Sequence, residues 1–124
     1  MDKKPLAYIV EDNIDTVTIF RSALELAGYE VEVALDGAVA QKQLTEIIPT
    51  LIILDLHMPN VTGDILLKQV RADERLKEVR VFLATADANM AAQLRDQAEL
   101  VLLKPIGFSQ LRDLAKRFRP DVGN

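Results

Sequence analysis

Four of the five apolar runs in this chain end on a residue suited to polar chemistry. Leu6 to Val10 leads into Glu11 and Asp12, and Leu51 to Leu54 leads into Asp55. Val79 to Ala84 leads into Thr85, and Leu100 to Leu103 leads into Lys104. Carboxylates gathered in one pocket repel and raise each other's pKa values. A hard divalent cation removes that conflict, and magnesium prefers oxygen ligands while keeping several waters. Asp12 and Asp55 would supply carboxylate oxygens, with Glu11 bound directly or through water. An Asp55 oxygen could then attack phosphorus, with charge on the transferred group offset by the metal and Lys104. Thr85 could donate its hydroxyl to a phosphoryl oxygen. Each residue alone has an ordinary explanation: acids favour helix N-termini, Asp12 or Asn13 could cap a helix, and a lone lysine is usually solvated. The ordered set is what points to chemistry.

Positioning these groups at one place requires a particular scaffold. The apolar runs, including Val31 to Leu35, are strand-sized, and several are rich in Val and Ile. Leu51-Ile52-Ile53-Leu54 and Val101-Leu102-Leu103 are apolar without alternation, as in parallel strands covered on both faces. Between the runs lie helical stripes. Val17, Phe20, Leu24 and Ala27 form the first, with Gly28 as its stop. Ala40, Leu44 and Ile47 form the second, before Pro49. A third spans about Gly63 to Arg71, with Leu66 and Val70 on one face. A fourth, near Asn89 to Asp96, has only Met90 and Leu94 as large apolar residues. Phe108, Leu111, Ala115 and Phe118 form the last.

Strict alternation of strand and helix demands parallel strands joined by right-handed crossovers. The expectation is an α/β fold: a flavodoxin-like, doubly wound, five-stranded parallel sheet of order 2-1-3-4-5 with five flanking helices. Ligands of such sheets bind outside the carboxyl ends of the strands. The order sets the first and third strands side by side, with the fourth next. Glu11, Asp12, Asp55, Thr85 and Lys104 would then converge on one edge.

The 124 residues suit a single domain, with 119–124 reading as a frayed end or the start of a linker. Hydrophobic residues at 49% and charged residues at 27% are globular proportions. A net charge of −4 gives no electrostatic footprint for nucleic acid or anionic membrane. The absence of cysteine excludes disulfides and thiolate sites. The apolar run after the N-terminal lysines stops at Val10, too short for a signal peptide or a membrane span, so a cytoplasmic protein is expected. Arg112, Lys116, Arg117 and Arg119 read as a solvated face of the last helix.

Over nearly its whole length the chain resembles the receiver domains of bacterial two-component response regulators. The resemblance rests on Val10-Glu11-Asp12-Asn13, Leu54-Asp55-Leu56-His57-Met58-Pro59, Gly63, Thr85-Ala86 and Lys104-Pro105. It implies a phosphorylation-dependent signalling switch, not an enzyme beyond its own phosphoryl acceptance and autodephosphorylation. Glu11 and Asp12 look like the acidic pair that holds magnesium (or manganese), and Asp55 like the phosphoacceptor. His57 would offer its backbone carbonyl to the metal. Thr85 looks like the hydroxyl residue that moves toward the phosphoryl group, and the loop after it with the weakly apolar fourth helix reads as the element that shifts, altering the face made by the fourth helix, fifth strand and fifth helix. Lys104 would pair with a phosphoryl oxygen and precede a cis peptide bond to Pro105. The implied partners are a sensor histidine kinase or histidine phosphotransfer protein and an output domain or target, with a phosphorylation-dependent homodimer as one form of output.

The resemblance has departures. Val101 stands where the family usually has Tyr or Phe, and Gln97-Ala98 where a Gly often precedes the fifth strand. His57 and Asp87 occupy positions that tune phosphoryl lifetime in the family. The His57 side chain reads either as a neighbour of the phosphoryl group or as a solvated group contributing only its carbonyl, and the second reading is preferred. Three rivals remain. A haloacid-dehalogenase-like phosphatase needs a second Asp where His57 stands. A pseudo-receiver would keep the fold without the chemistry. A flavin-binding domain lacks its phosphate loop, because Glu11-Asp12 would repel phosphate.

Overall fold

A computed structural model describes residues 3–120; the expected tail falls partly outside them, at 121–124. Strands β1 (Leu6–Val10), β2 (Glu30–Ala34), β3 (Leu51–Leu54), β4 (Arg80–Thr85) and β5 (Leu100–Leu103) alternate with helices. The helices are α1 (Ile14–Leu26), α2 (Gly37–Gln43), α3 (Gly63–Ala72), α4 (Ala88–Leu94) and α5 (Phe108–Phe118). Short 3-10 turns at Glu74–Leu76 and Arg95–Gln97, not anticipated from the pattern, precede β4 and β5.

All strand pairs are parallel, as the alternation requires, and the order is β2-β1-β3-β4-β5, as expected for a flavodoxin-like sheet. Successive strand residues point to opposite faces. Ala7, Ile9, Ile53, Phe82 and Ala84 therefore pack against Phe20, Leu24, Leu111 and Ala115 of α1 and α5. Tyr8, Val10, Ile52, Leu54 and Leu83 pack against Ala40, Leu66, Leu67 and Ala91 of α2, α3 and α4. Both faces are covered, which is why the central strands are continuously apolar. Truncating a fully buried residue such as Leu66 to Ala would cost about 2–5 kcal/mol.

Local chemistry sets the helix ends. Asn13 caps α1, its Oδ1 accepting from Thr16 N at 2.9 Å. Gly28, at φ 96, turns the chain after that helix. Helix α2 is shorter than the stripe to Ile47 suggests. Thr45 donates its hydroxyl to Lys42 O at 2.6 Å, and Thr45 N–H bonds to the same carbonyl at 3.0 Å. These bonds draw the chain into a tighter turn, and Ile47 packs on the core from beyond the helix.

Candidate functional site

The hydrogen-bond ladders continue past the strand ends and fix the residues that follow. Glu11 N–H donates to Ala34 O at 3.1 Å, Asp55 N–H to Val10 O at 3.0 Å and Lys104 N–H to Thr85 O at 2.9 Å. Register pairs Val10 with both Ala34 and Leu54, and Leu54 with Leu83. The groups after β1, β3 and β5 thus meet at one edge of the sheet. Carboxylate oxygens of Glu11, Asp12 and Asp55 lie within 4.8 Å of one another. Glu11 is 2% exposed and Asp55 6%, whereas Asp12 faces solvent.

Lys104, just past the end of β5, joins this cluster. Its Nζ donates to Glu11 Oε1 at 2.6 Å and to Asp55 Oδ2 at 3.2 Å. Burial pushes the Glu11 carboxyl above its ordinary pKa, with Asp55 adding to the rise, and the bonds from Lys104 and the Asn13 amide offset only part of it. Burial alone would lower the Lys104 ammonium, but the Glu11 and Asp55 carboxylates outweigh it and hold it above the usual lysine value. The Lys104–Pro105 peptide bond is cis.

Asn13, which caps α1, also donates its backbone N–H to Glu11 Oε2 at 3.1 Å. His57 N–H donates to Asp55 Oδ1 at 3.2 Å. The His57 ring is 62% exposed, as the solvated reading expects, yet its Nε2 lies 2.9 Å from Asp87 Oδ2. Bonds from Met90 N–H and His57 hold the Asp87 carboxyl below the usual carboxylate range. Thr85 is fully buried and its Oγ1 accepts from Asp87 N–H at 3.1 Å. Val101 packs at the margin of the core cluster under α2, α3 and α4. Sequence spacing carries no signal for the His57–Asp87 contact, because its partners are 30 residues apart on separate loops.

Glycines seat the loop that carries Asp55 and His57. Gly63 N–H donates to Leu56 O at 2.9 Å, and a Cβ at Gly63 would overlap the Asp55 carbonyl oxygen and lie 2.7 Å from Leu56 Cα. Gly37 N–H donates to Pro59 O at 3.0 Å, and a Cβ there would overlap Val61 O. Asn60, at φ 70, donates to Asp36 Oδ2.

The donor set fits a hard divalent cation. Three carboxylates face one ammonium, leaving an excess of two negative charges when all are ionised, and every candidate ligand is oxygen. Asp12 makes no hydrogen bond or ion pair among the described residues, so its oxygens are open to a ligand. A cleft of about 490 Å³ lies at the opposite end of the strands, around Arg71, Val79 and Gln97. Arg71 there donates to Gln97 O at 2.7 Å and Val79 O at 2.9 Å, a stitch between loops.

The response regulator receiver domain family model matches residues 7–116. The polar-differentiation response regulator DivK of Brucella ovis is 31% identical over 117 residues, covering 92% of this chain and 95% of DivK. The transcriptional regulatory protein PrrA of Mycobacterium leprae is 32% identical over 108 residues, covering 86% of this chain. The chain spans less than half of PrrA, 46% of its length. Among solved structures, the chemotaxis response regulator CheY4 of Vibrio cholerae superposes with a TM-score of 0.84 at 27% identity, covering 94% of this chain and 99% of that one.

Proposed function

Because the chain belongs to the response-regulator receiver family, we propose that it is a single receiver domain whose phosphorylation-dependent signalling begins with phosphoryl transfer to Asp55. The observation that carries this reading is the convergence of Glu11, Asp12 and Asp55 oxygens within 4.8 Å, with Lys104 Nζ 3.2 Å from Asp55. Glu11, Asp12, Asp55 and the His57 carbonyl would hold Mg2+ or Mn2+. That ion supplies positive charge against the transferring phosphoryl oxygens.

The chain's own residues do the rest. An Asp55 carboxylate oxygen forms the new bond to phosphorus as the donor's bond to phosphorus breaks. The bonding pair leaves with the donor, whether a phosphohistidine imidazole or acetate. Lys104, already beside Asp55, exchanges its contact for a phosphoryl oxygen. The Thr85 hydroxyl turns toward the added group, which carries about −1.5 to −2 charges. A low local dielectric strengthens both contacts, since Glu11 and Thr85 are buried.

Donor and output follow from the family. A sensor histidine kinase or histidine phosphotransfer protein supplies the phosphoryl group, and an output domain, target protein or second phosphorylated copy reads the state. Direct nucleic-acid or membrane binding is not part of this reading, given the net charge of −4. Among the described residues no helix is long and apolar enough to cross a membrane, and we place the domain in the cytoplasm. No turnover beyond self-catalysed acceptance and autodephosphorylation is expected. His57 stands where a phosphatase of the dehalogenase type would need its second Asp.

Intact mass after incubation with acetyl phosphate, with and without Mg2+, tests the reading beside Asp55→Asn. A magnesium-dependent gain of one phosphoryl group, absent in the variant, supports it. No adduct and no magnesium-dependent binding of beryllofluoride would overturn it in favour of a receiver fold without the chemistry.

A further inference from the structure

Asp87 makes three bonds in three directions. Its backbone N–H donates to Thr85 Oγ1 at 3.1 Å, and its Oδ1 accepts from Met90 N–H at 2.9 Å, capping α4. Its Oδ2 meets His57 Nε2 at 2.9 Å. His57 is tied in turn to Asp55, its N–H donating to Asp55 Oδ1 at 3.2 Å. Hydrogen bonds therefore run without a gap from the Asp55 carboxylate, through His57 and Asp87, to the first turn of α4.

The far end of this chain of bonds is lightly held. Helix α4 has seven residues, of which only Ala91 is buried. Met90 and Leu94 are partly buried against the core. Little apolar burial opposes a shift of such an element, so its cap has leverage over its position. The link can also change without uncovering the core, because the two side chains are 62% and 32% exposed. Val101, on the neighbouring strand, has no polar side-chain atom and offers no second hydrogen-bonded route from β5.

We propose that His57 and Asp87 are a positioning pair that transmits a change at Asp55 to α4. The inference rests on Asp55 being the phosphoacceptor. A phosphoryl group there crowds the carboxylate that the His57 N–H now contacts, so His57 re-aims. Its Nε2 holds the residue that caps α4, so Asp87 and the first turn of the helix move with it.

Amide hydrogen exchange along residues 88–94, read by NMR, tests this. Wild type, His57→Ala and Asp87→Ser are compared without ligand and with saturating Mg2+ and beryllofluoride, with occupancy measured by fluorine NMR. Serine keeps an N-cap oxygen for Met90 but is too short to reach His57. Beryllofluoride should change exchange at Met90 and Ala91 of the wild type by about threefold or more, the scale of one hydrogen bond. Both variants, compared at matched occupancy, should lose most of that change, and the double variant should lose no more than either. Occupied variants whose α4 responds as the wild type does would overturn the relay alone. Failure of the wild type to bind beryllofluoride would overturn the reading of Asp55, and the relay with it.

Discussion

Lys104 and Glu11, 93 residues apart in sequence, meet at 2.6 Å, and Glu11 is almost wholly buried. The same ammonium reaches Asp55 at 3.2 Å. A group proposed for phosphoryl chemistry thus also serves as the internal counter-ion of an acidic pocket.

Removing that counter-ion leaves Glu11 buried without a charge partner. Lys104→Met should destabilise the metal-free protein by about 1–3 kcal/mol, a loss moderated because Glu11 can take up a proton. Urea unfolding with a chelator present measures it. Mg2+ should then stabilise the variant more than the wild type, since the ion no longer competes with an ammonium. Equal responses would mean that Lys104 and the ion do not share the pocket.

Glu11→Gln should behave in the opposite way. Burial raises the Glu11 carboxyl, so the folded protein disfavours its charge. Below its unfolded-state pKa the raised group contributes fully to stability, and that contribution is lost as pH rises through the folded value. At neutral pH the neutral amide should therefore leave metal-free stability unchanged or higher by about 1 kcal/mol. The rise in melting temperature on adding Mg2+ should largely disappear. A large loss of metal-free stability would show that the Lys104 pair outweighs desolvation.

Gly63→Ala should disturb Asp55 through the backbone. The added Cβ has no room against the Asp55 carbonyl and Leu56 Cα, an overpacking cost of about 1–3 kcal/mol. Gly107→Ala is the control, because nothing lies within 4 Å of a Cβ there. Denaturation should separate the two variants, and the rate of acetyl phosphate labelling should fall only in Gly63→Ala. Similar behaviour of both would remove Gly63 from the positioning of Asp55.

The two tyrosines give a pH test of the core. Burial pushes the Tyr29 phenol from 10.0 up to about 12, and its OH donates to Ala115 O at 2.8 Å. Burial raises Tyr8 as well, and its OH donates to Gln43 Oε1. With no tryptophan in the chain, absorbance near 295 nm follows both phenols. The folded protein should show little phenolate at a pH where the unfolded chain is half ionised. The Tyr29 contribution, about 2–3 kcal/mol, is present in full below pH 10 and is lost as pH rises from there toward 12. A phenol titrating near 10 while the fold persists would contradict this packing.

Much of the scaffold was legible because burial on two faces leaves a strong mark. Leu6–Val10, Leu51–Leu54 and Leu100–Leu103 stand in the structure with the bounds of their apolar runs. Strand β2 begins one residue earlier than its run, at Glu30, because Glu30 pairs with Leu6 through the backbone, whatever its side chain. Strand β4 likewise extends through Thr85, which pairs with Leu103. Helix α2 stops short of Ile47 because Thr45 competes for a helix carbonyl, a local bond that an apolar stripe does not register.

The sequence by itself determined the parallel α/β alternation and the placement of Glu11, Asp12, Asp55, Thr85 and Lys104 at strand ends. These follow from hydrophobic period and crossover handedness, which are properties of neighbouring residues. Only the tertiary structure decided which of those groups touch. The Lys104–Glu11 pair, the link from His57 to Asp87 and the seating of Gly37 against Val61 each join residues from separate loops or helices. Such contacts depend on strand register and on how a loop closes over its neighbour, and their distances of 2.6 and 2.9 Å are set by packing that no spacing along the chain encodes.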